Sequence, residues 1–190
     1  ETRLDTALTG LAKLADTHAA LPMTARTYGQ AAPPTSFGAV VAGWGWPLLA
    51  QKQALTALRP LLLRVSLSGA AGTLSAMGDA GPQVRAGLAQ ALGLADPGHS
   101  WHTDRSGIGA LAGWMATTAS AMGKLGEDLI LMTQSGLAEV KLTGGGGSST
   151  MPQKQNPVAP SALVALSRQV IGLSSILQGA GLHRQQRDGA

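Results

Sequence analysis

The sequence predicts an all-α fold, a bundle of long helices, and three observations carry that reading. Apolar residues recur at spacings of three and four in four separate runs, the pattern of a helix with one packed seam. Aromatic residues are 3% of the chain while glycine is 26 of 190, which suits helices approaching closely through small residues rather than a sandwich with an aromatic core. Apart from Pro47 and Pro60, the prolines fall between the runs, as does the glycine cluster from Gly144 to Gly147. At 190 residues, 44% hydrophobic and 13% charged, the chain can bury a core and does not read as a disordered tail. It has no cysteine, which excludes a disulfide scaffold, a cysteine-ligated metal and a thiol nucleophile.

The elements follow in order. Leu4, Leu8, Leu11, Ala15 and His18 form the first run, closed by Pro22. His18 sits on that seam and reads as a structural histidine. Pro33 and Pro34, then Thr35 or Ser36 as N-cap, precede the second run, Val41, Trp44, Leu48, Gln51, Leu55, Leu58, Leu62 and Val65. Pro47 is expected to kink this helix. A short helix over 83–92 precedes the turn Ala95-Asp96-Pro97-Gly98. The third run, Ile108, Leu111, Met115, Thr118, Met122, Leu125, Leu129 and Met132, predicts a helix from near Thr103 to near Ser135, roughly 50 Å long at about 1.5 Å per residue. Such a seam is expected to continue its packing across subunits. Residues 106–123 carry no charge, yet read as a buried bundle helix rather than a membrane span. A flexible loop over 144–156 then leads to a fourth helix opened by Asn156-Pro157, with the seam Leu163, Leu166, Val170, Leu173 and Leu177.

The net charge is +4. The basic residues are scattered apart from a modest cluster at Arg184 and Arg187, so no nucleic-acid partner is expected. A mild positive balance suits a small polyanion. No His/Asp/Glu group has metal-ligand spacing, so neither a metal nor another cofactor is expected. His99, after Pro97-Gly98, reads as a solvated loop residue.

The chemistry concentrates in Gly144-Gly145-Gly146-Gly147-Ser148-Ser149-Thr150-Met151-Pro152-Gln153-Lys154-Gln155-Asn156-Pro157. Four glycines leave the backbone mobile, two hydroxyls follow, and Lys154 and Asn156 stand near a helix N-terminus, which attracts anions. A phosphate loop is excluded because no Gly-Lys pair precedes the final hydroxyl.

From Gly147 to Pro157 this string resembles the signature of the fumarase/aspartase superfamily, the fumarate lyases. Thr24-Ala25-Arg26-Thr27-Tyr28-Gly29-Gln30-Ala31-Ala32-Pro33-Pro34-Thr35 is similar to its Arg-Thr-His-x-Gln-x-Ala-x-Pro-x-Thr segment. The resemblance spans essentially the whole chain and implies the central helical-bundle domain of that fold, residues 1–190, as a piece of a longer polypeptide with the preceding and following domains outside it. It further implies a cytoplasmic homotetramer with shared active sites, acting on a small polycarboxylate with no membrane partner. Ser148 takes the role of the base at a carbon next to a carboxylate. Ser149, Lys154, Asn156, Thr27, Tyr28 and Gln30 take substrate-binding positions.

Two departures narrow the resemblance. Tyr28 replaces the family's histidine, which serves the acid step in many members, and Ser161 stands where a glutamate is frequent. Both features resemble the 3-carboxy-cis,cis-muconate cycloisomerase branch, as does Trp101-His102-Thr103-Asp104-Arg105, which adds His102 and Arg105 as substrate-binding candidates. Arg105 could grip a carboxylate as a fork, or pair with Asp104 or a neighbouring helix. The stretch from His183 to Asp188 is a weaker likeness. The resemblance implies closure of a lactone by the substrate's own carboxylate. The competing expectations are a fumarate-releasing lyase of the adenylosuccinate lyase kind and a non-catalytic helical scaffold.

Overall fold

The structure, a computed structural model, describes residues 1–144, 146–147, 149–151 and 153–186. Five helices dominate: α1 (Thr2–Thr17), α2 (Phe37–Leu62), α3 (Gly81–Leu92), α4 (Ser106–Met132) and α5 (Val158–Gly179). Two antiparallel pairs accompany them: β1 (Pro22–Thr27) with β2 (Gln30–Ser36), and β3 (Gly146–Gly147) with β4 (Gln155–Asn156). The residues group into two compact units, Glu1–Gln53 with Met115–Ile171 and Ala54–Trp114 with Gly172–Ala190.

In the first unit, Val41, Trp44 and Met132 form the buried centre, with Leu11, Phe37 and Leu129 packed against it. The first seam performs as its spacing predicts, since Leu4, Leu8, Leu11, Ala15 and His18 are all half-buried. The His18 ring packs edge-on against Phe37 at 5.4 Å. The His18 carbonyl accepts from the Gly38 N–H at 3.0 Å, and the Leu21 carbonyl accepts from the Phe37 N–H at 2.9 Å. These bonds fix the base of the β1–β2 hairpin between α1 and α2.

That hairpin is absent from the sequence reading. Pro33 and Pro34 argue against a strand, but β2 pairs on one side only, so a missing N–H is tolerated. The two-residue turn places Tyr28 at φ 52° and Gly29 at φ 73°, the mirror-image geometry that follows the twist of a hairpin.

α2 runs through Pro47 as one element. Two further expectations change. In α4 the seam is buried at Met132, while the other buried positions, Gly107, Ala112, Ala119, Gly123 and Gly126, are small residues beside the seam. The reason is close approach: a Cβ on Gly126 would lie 2.9 Å from Val164 Cγ2 and 3.0 Å from the Pro160 carbonyl. In α5 the predicted seam is largely exposed, with Leu166 at 60% and Leu173 at 50%, while Pro160, Val164 and Ser167 are buried. α5 is also, among the described residues, the helix long and apolar enough to cross a membrane, with 17% of its window buried. Residues 106–123, weighed for that role from the sequence, are not it.

The second unit is held by polar ties. The Val65 N–H donates to the Ala95 carbonyl and the Ala95 N–H to the Leu63 carbonyl, both at 2.9 Å. Arg85, itself buried, pairs with Asp96 at 2.6 Å. Arg64 lies 3.9 Å over the Trp101 ring and reaches Asp104 at 3.1 Å. The Ser106 hydroxyl and N–H, followed by Arg64, hold the Asp104 carboxyl down at about 2. A carboxyl lowered on folding adds stability above its unfolded value of about 3.9, and that stability is lost as pH falls through the folded value. In urea melts between about pH 4 and pH 2, Asp104→Asn is expected to lose stability less steeply than the parent protein. Equal slopes would remove Asp104 from the acid response.

Candidate active site

The signature segment starts from Gly146, which pairs with Asn156, and Gly147, which pairs with Gln155. The loop expected over 144–156 carries this short ladder near its two ends. A Cβ on Gly146 would stand 2.8 Å from Val158 Cγ2, so a larger residue there must displace that side chain. Ser149 and Lys154 are exposed, and the Lys154 N–H donates to the Met151 carbonyl at 2.9 Å. Lys154 thus stands in the turn before β4, four residues ahead of α5, and not in the helix's first turn. Asn156 is half-buried. Ser161, in the first turn of α5, donates its hydroxyl to the carbonyl of Pro157 just before the helix, at 2.9 Å. Ser148, the expected base, lies outside the described residues, as do Gly145 and Pro152 of the signature and Arg187 and Asp188 of the closing cluster.

The second block occupies the hairpin tip. Thr27 ends β1 and pairs with Gln30, which opens β2. Tyr28 is fully exposed at the turn. Three candidates from one sequence block are thereby brought to one tip. Arg26 pairs with Glu139 at 2.6 Å, tying this hairpin to the strip of chain that leads into the signature. A cavity of about 490 Å³ beneath it is lined by Arg26, Gly29, Lys124, Asp128, Gln134 and Glu139. Asp128 there accepts the Trp44 indole N–H at 2.7 Å and pairs with Lys124. Sequence reasoning passed over Glu139 and Asp128, because partners 113 and 84 residues away leave no local spacing to detect.

His102 and Arg105 belong to the second unit. His102 Nε2 lies 2.8 Å from the Gln186 carbonyl, which can only accept, so this nitrogen carries the proton. His102 Nδ1 is buried without a partner among the described residues. Arg105 donates to the His102 carbonyl at 2.7 Å. The pairing of Arg105 with Asp104 weighed from sequence is replaced by the Arg64–Asp104 pair. Arg105 also lines a cavity of about 380 Å³ with Thr103, Ser106, Gln178 and His183. Among the described residues, no group of three or more His, Asp or Glu side chains could hold a metal ion. His99 is exposed.

Comparison with known proteins places this geometry in a class. The lyase family model matches residues 1–172, and the chain belongs to that family, within the fumarase/aspartase superfamily. It is 40% identical over 180 residues, 93% of the chain and 39% of the relative, to a 3-carboxy-cis,cis-muconate cycloisomerase of Pseudomonas aeruginosa. It is 34% identical over 98% of its length to a nitrosuccinate lyase of Streptomyces davaonensis, covering 41% of that protein. The crystal structure of a 3-carboxy-cis,cis-muconate lactonizing enzyme from Pseudomonas putida superposes with a TM-score of 0.91 and 36% identity, over 97% of this chain and 42% of that one. The chain thus spans about two fifths of the length of these relatives. The long-helix fold expected from the resemblance is the fold these relatives share.

Proposed function

We propose that this chain is the central helical domain, residues 1–190, of a cycloisomerase that interconverts 3-carboxy-cis,cis-muconate and a carboxymuconolactone in the breakdown of aromatic acids. The observation that carries this reading is its joint likeness, in sequence and in backbone, to enzymes named for that substrate. Tyr28 in the acid position supports it. In the lactonizing direction a substrate carboxylate oxygen bonds to one carbon of a double bond, and the neighbouring carbon takes a proton from the Ser148 hydroxyl. In reverse, Ser148 removes that proton, the C–O bond breaks, and the electron pair leaves with the carboxylate. A carboxylate with a pKa of about 4 departs as a stable anion, so no second proton donor is needed. Lys154, Asn156 and Ser149 hold the substrate carboxylates from the signature segment, and Thr27, Tyr28 and Gln30 contact the substrate from the hairpin tip; His102 and Arg105 are assigned substrate contacts on the second unit.

The protein acts as a homotetramer in the cytoplasm, with sites assembled from several copies. Supporting this, α5 exposes Leu166, Leu173 and Ile176, an apolar face that a neighbouring copy would cover. The test is the full-length protein given 3-carboxy-cis,cis-muconate, followed by ultraviolet absorbance. The muconate signal is expected to fall with no fumarate formed. Fumarate release from a succinyl substrate, with carboxymuconate untouched, would instead establish the lyase reading that the nitrosuccinate lyase likeness favours.

A further inference from the structure

A second cavity, of about 430 Å³, opens beside the β3–β4 ladder, within the range of about 300–1,000 Å³ typical of small-molecule sites. Its walls include Lys141, Gln134, Gln153, Gln155, Ser135 and Asn156, and no lining residue is acidic. Among the described residues, nothing pairs with the Lys141 ammonium or with the side-chain amides of Gln134, Gln153 and Gln155. A cation and three amides without partners, gathered in one recess without a carboxylate, form a donor-rich lining.

This cavity lies at the C-terminal end of α4, whose last carbonyls would repel an anion. Those carbonyls have partners: Leu129 O accepts the Thr133 N–H at 3.1 Å, Ile130 O the Thr133 hydroxyl at 2.9 Å, and Met132 O the Glu139 N–H at 2.9 Å. Glu139 itself is held by Arg26 and does not line this cavity.

We propose that this recess is a binding site for a small organic carboxylate, with Lys141 as its ion-pairing group and the amides of Gln134, Gln153 and Gln155 as its hydrogen-bond donors. The site shares Asn156 with the end of the signature segment, so occupancy bears directly on the β3–β4 ladder. Asn156 is shared with the proposed substrate site, but binding here requires no turnover and is tested without it.

The probe is succinate, titrated calorimetrically at constant ionic strength into full-length protein carrying Lys154→Gln, which removes the signature segment's own cation. Binding is expected to persist in that background. Adding Lys141→Gln is expected to weaken it by about ten-fold or more, the size of one lost charge-assisted hydrogen bond. Adding Lys141→Arg instead is expected to hold it within about three-fold, because the charge is kept. No binding in the Lys154→Gln protein, or the same affinity with Lys141→Gln, would overturn the site. Lys141 is exposed, so folding does not depend on it. Turnover plays no part in the readout, so failure of the proposed reaction would leave this test intact.

Discussion

Ser148→Ala in the full-length protein is expected to lower kcat for carboxymuconate by about 10²–10⁴-fold, the usual contribution of a positioned proton-transfer group. KM is expected to move little, because the substrate carboxylates are assigned to Lys154, Asn156 and the hairpin tip. The fold is expected to be unaffected: Gly147 and Ser149 on either side are exposed, and the ladder that joins the ends of the segment runs through other residues. A serine hydroxyl has no useful acidity in water, so the role depends on nearby backbone donors and cations favouring the alkoxide. Near wild-type turnover would end the assignment. The informative companion is Tyr28→Phe, assayed with the same substrate. If departure of a carboxylate needs no acid, this variant keeps most of its activity, whereas a fall as deep as that of Ser148→Ala would make the phenol the missing proton donor.

The helical part of the fold was legible because it is periodic. Val41, Trp44 and Leu48 recur at 3-4 spacing and are buried, and the spacing alone placed them on one face. The hairpin was not legible, because its strands contain Pro33 and Pro34 and its turn forces a tyrosine into positive φ. Local propensity disfavours each of these, and the bonds from His18 and Leu21 to the start of α2 override it. α5 exposes the opposite gap. Its large residues carry a clean helical period, but within one chain the small line Pro160, Val164 and Ser167 is what packs. Periodicity reports that a face is apolar, not what covers it.

The candidate site divides in the same way. Its signature residues are contiguous in sequence and could be read as a string. The ion pairs that position their neighbours, Arg26–Glu139 and Lys124–Asp128 with the Trp44 indole, join the hairpin, α2, α4 and the strip beyond it. Only the folded chain brings those groups together. Lys141 belongs with them: in sequence it is one of 14 scattered basic residues, and in the structure it lines a recess with three amides.

Gly38→Ala is expected to destabilise the first unit strongly, although it adds a single methyl group. A Cβ at this position would stand 2.4 Å from the Ala15 carbonyl oxygen, 2.6 Å from Ala19 Cα and 2.8 Å from Ala19 N. All three are backbone atoms, so no side chain can rotate away, and α1 must separate from α2. The expected cost is about 3 kcal/mol, the upper end for overpacking of a tight core, read as a fall in Tm of about 2–4 °C per kcal/mol. The same substitution at Gly43, one and a half turns along the same helix, meets nothing within 4 Å. There alanine is expected to raise stability by about 0.5–1 kcal/mol through helix propensity alone. Opposite signs from the same chemical change would attribute the effect to the contact rather than to the residue type, and equal small effects would refute the close approach of α1. The consequence reaches the site. The Gly38 N–H bonds to the His18 carbonyl, and Pro22 pairs with Ser36 just beyond it. A displaced α1 therefore shifts the base of the hairpin that carries Thr27, Tyr28 and Gln30. Gly38→Ala should accordingly raise KM for carboxymuconate at temperatures where the protein is still folded, while Gly43→Ala leaves it unchanged.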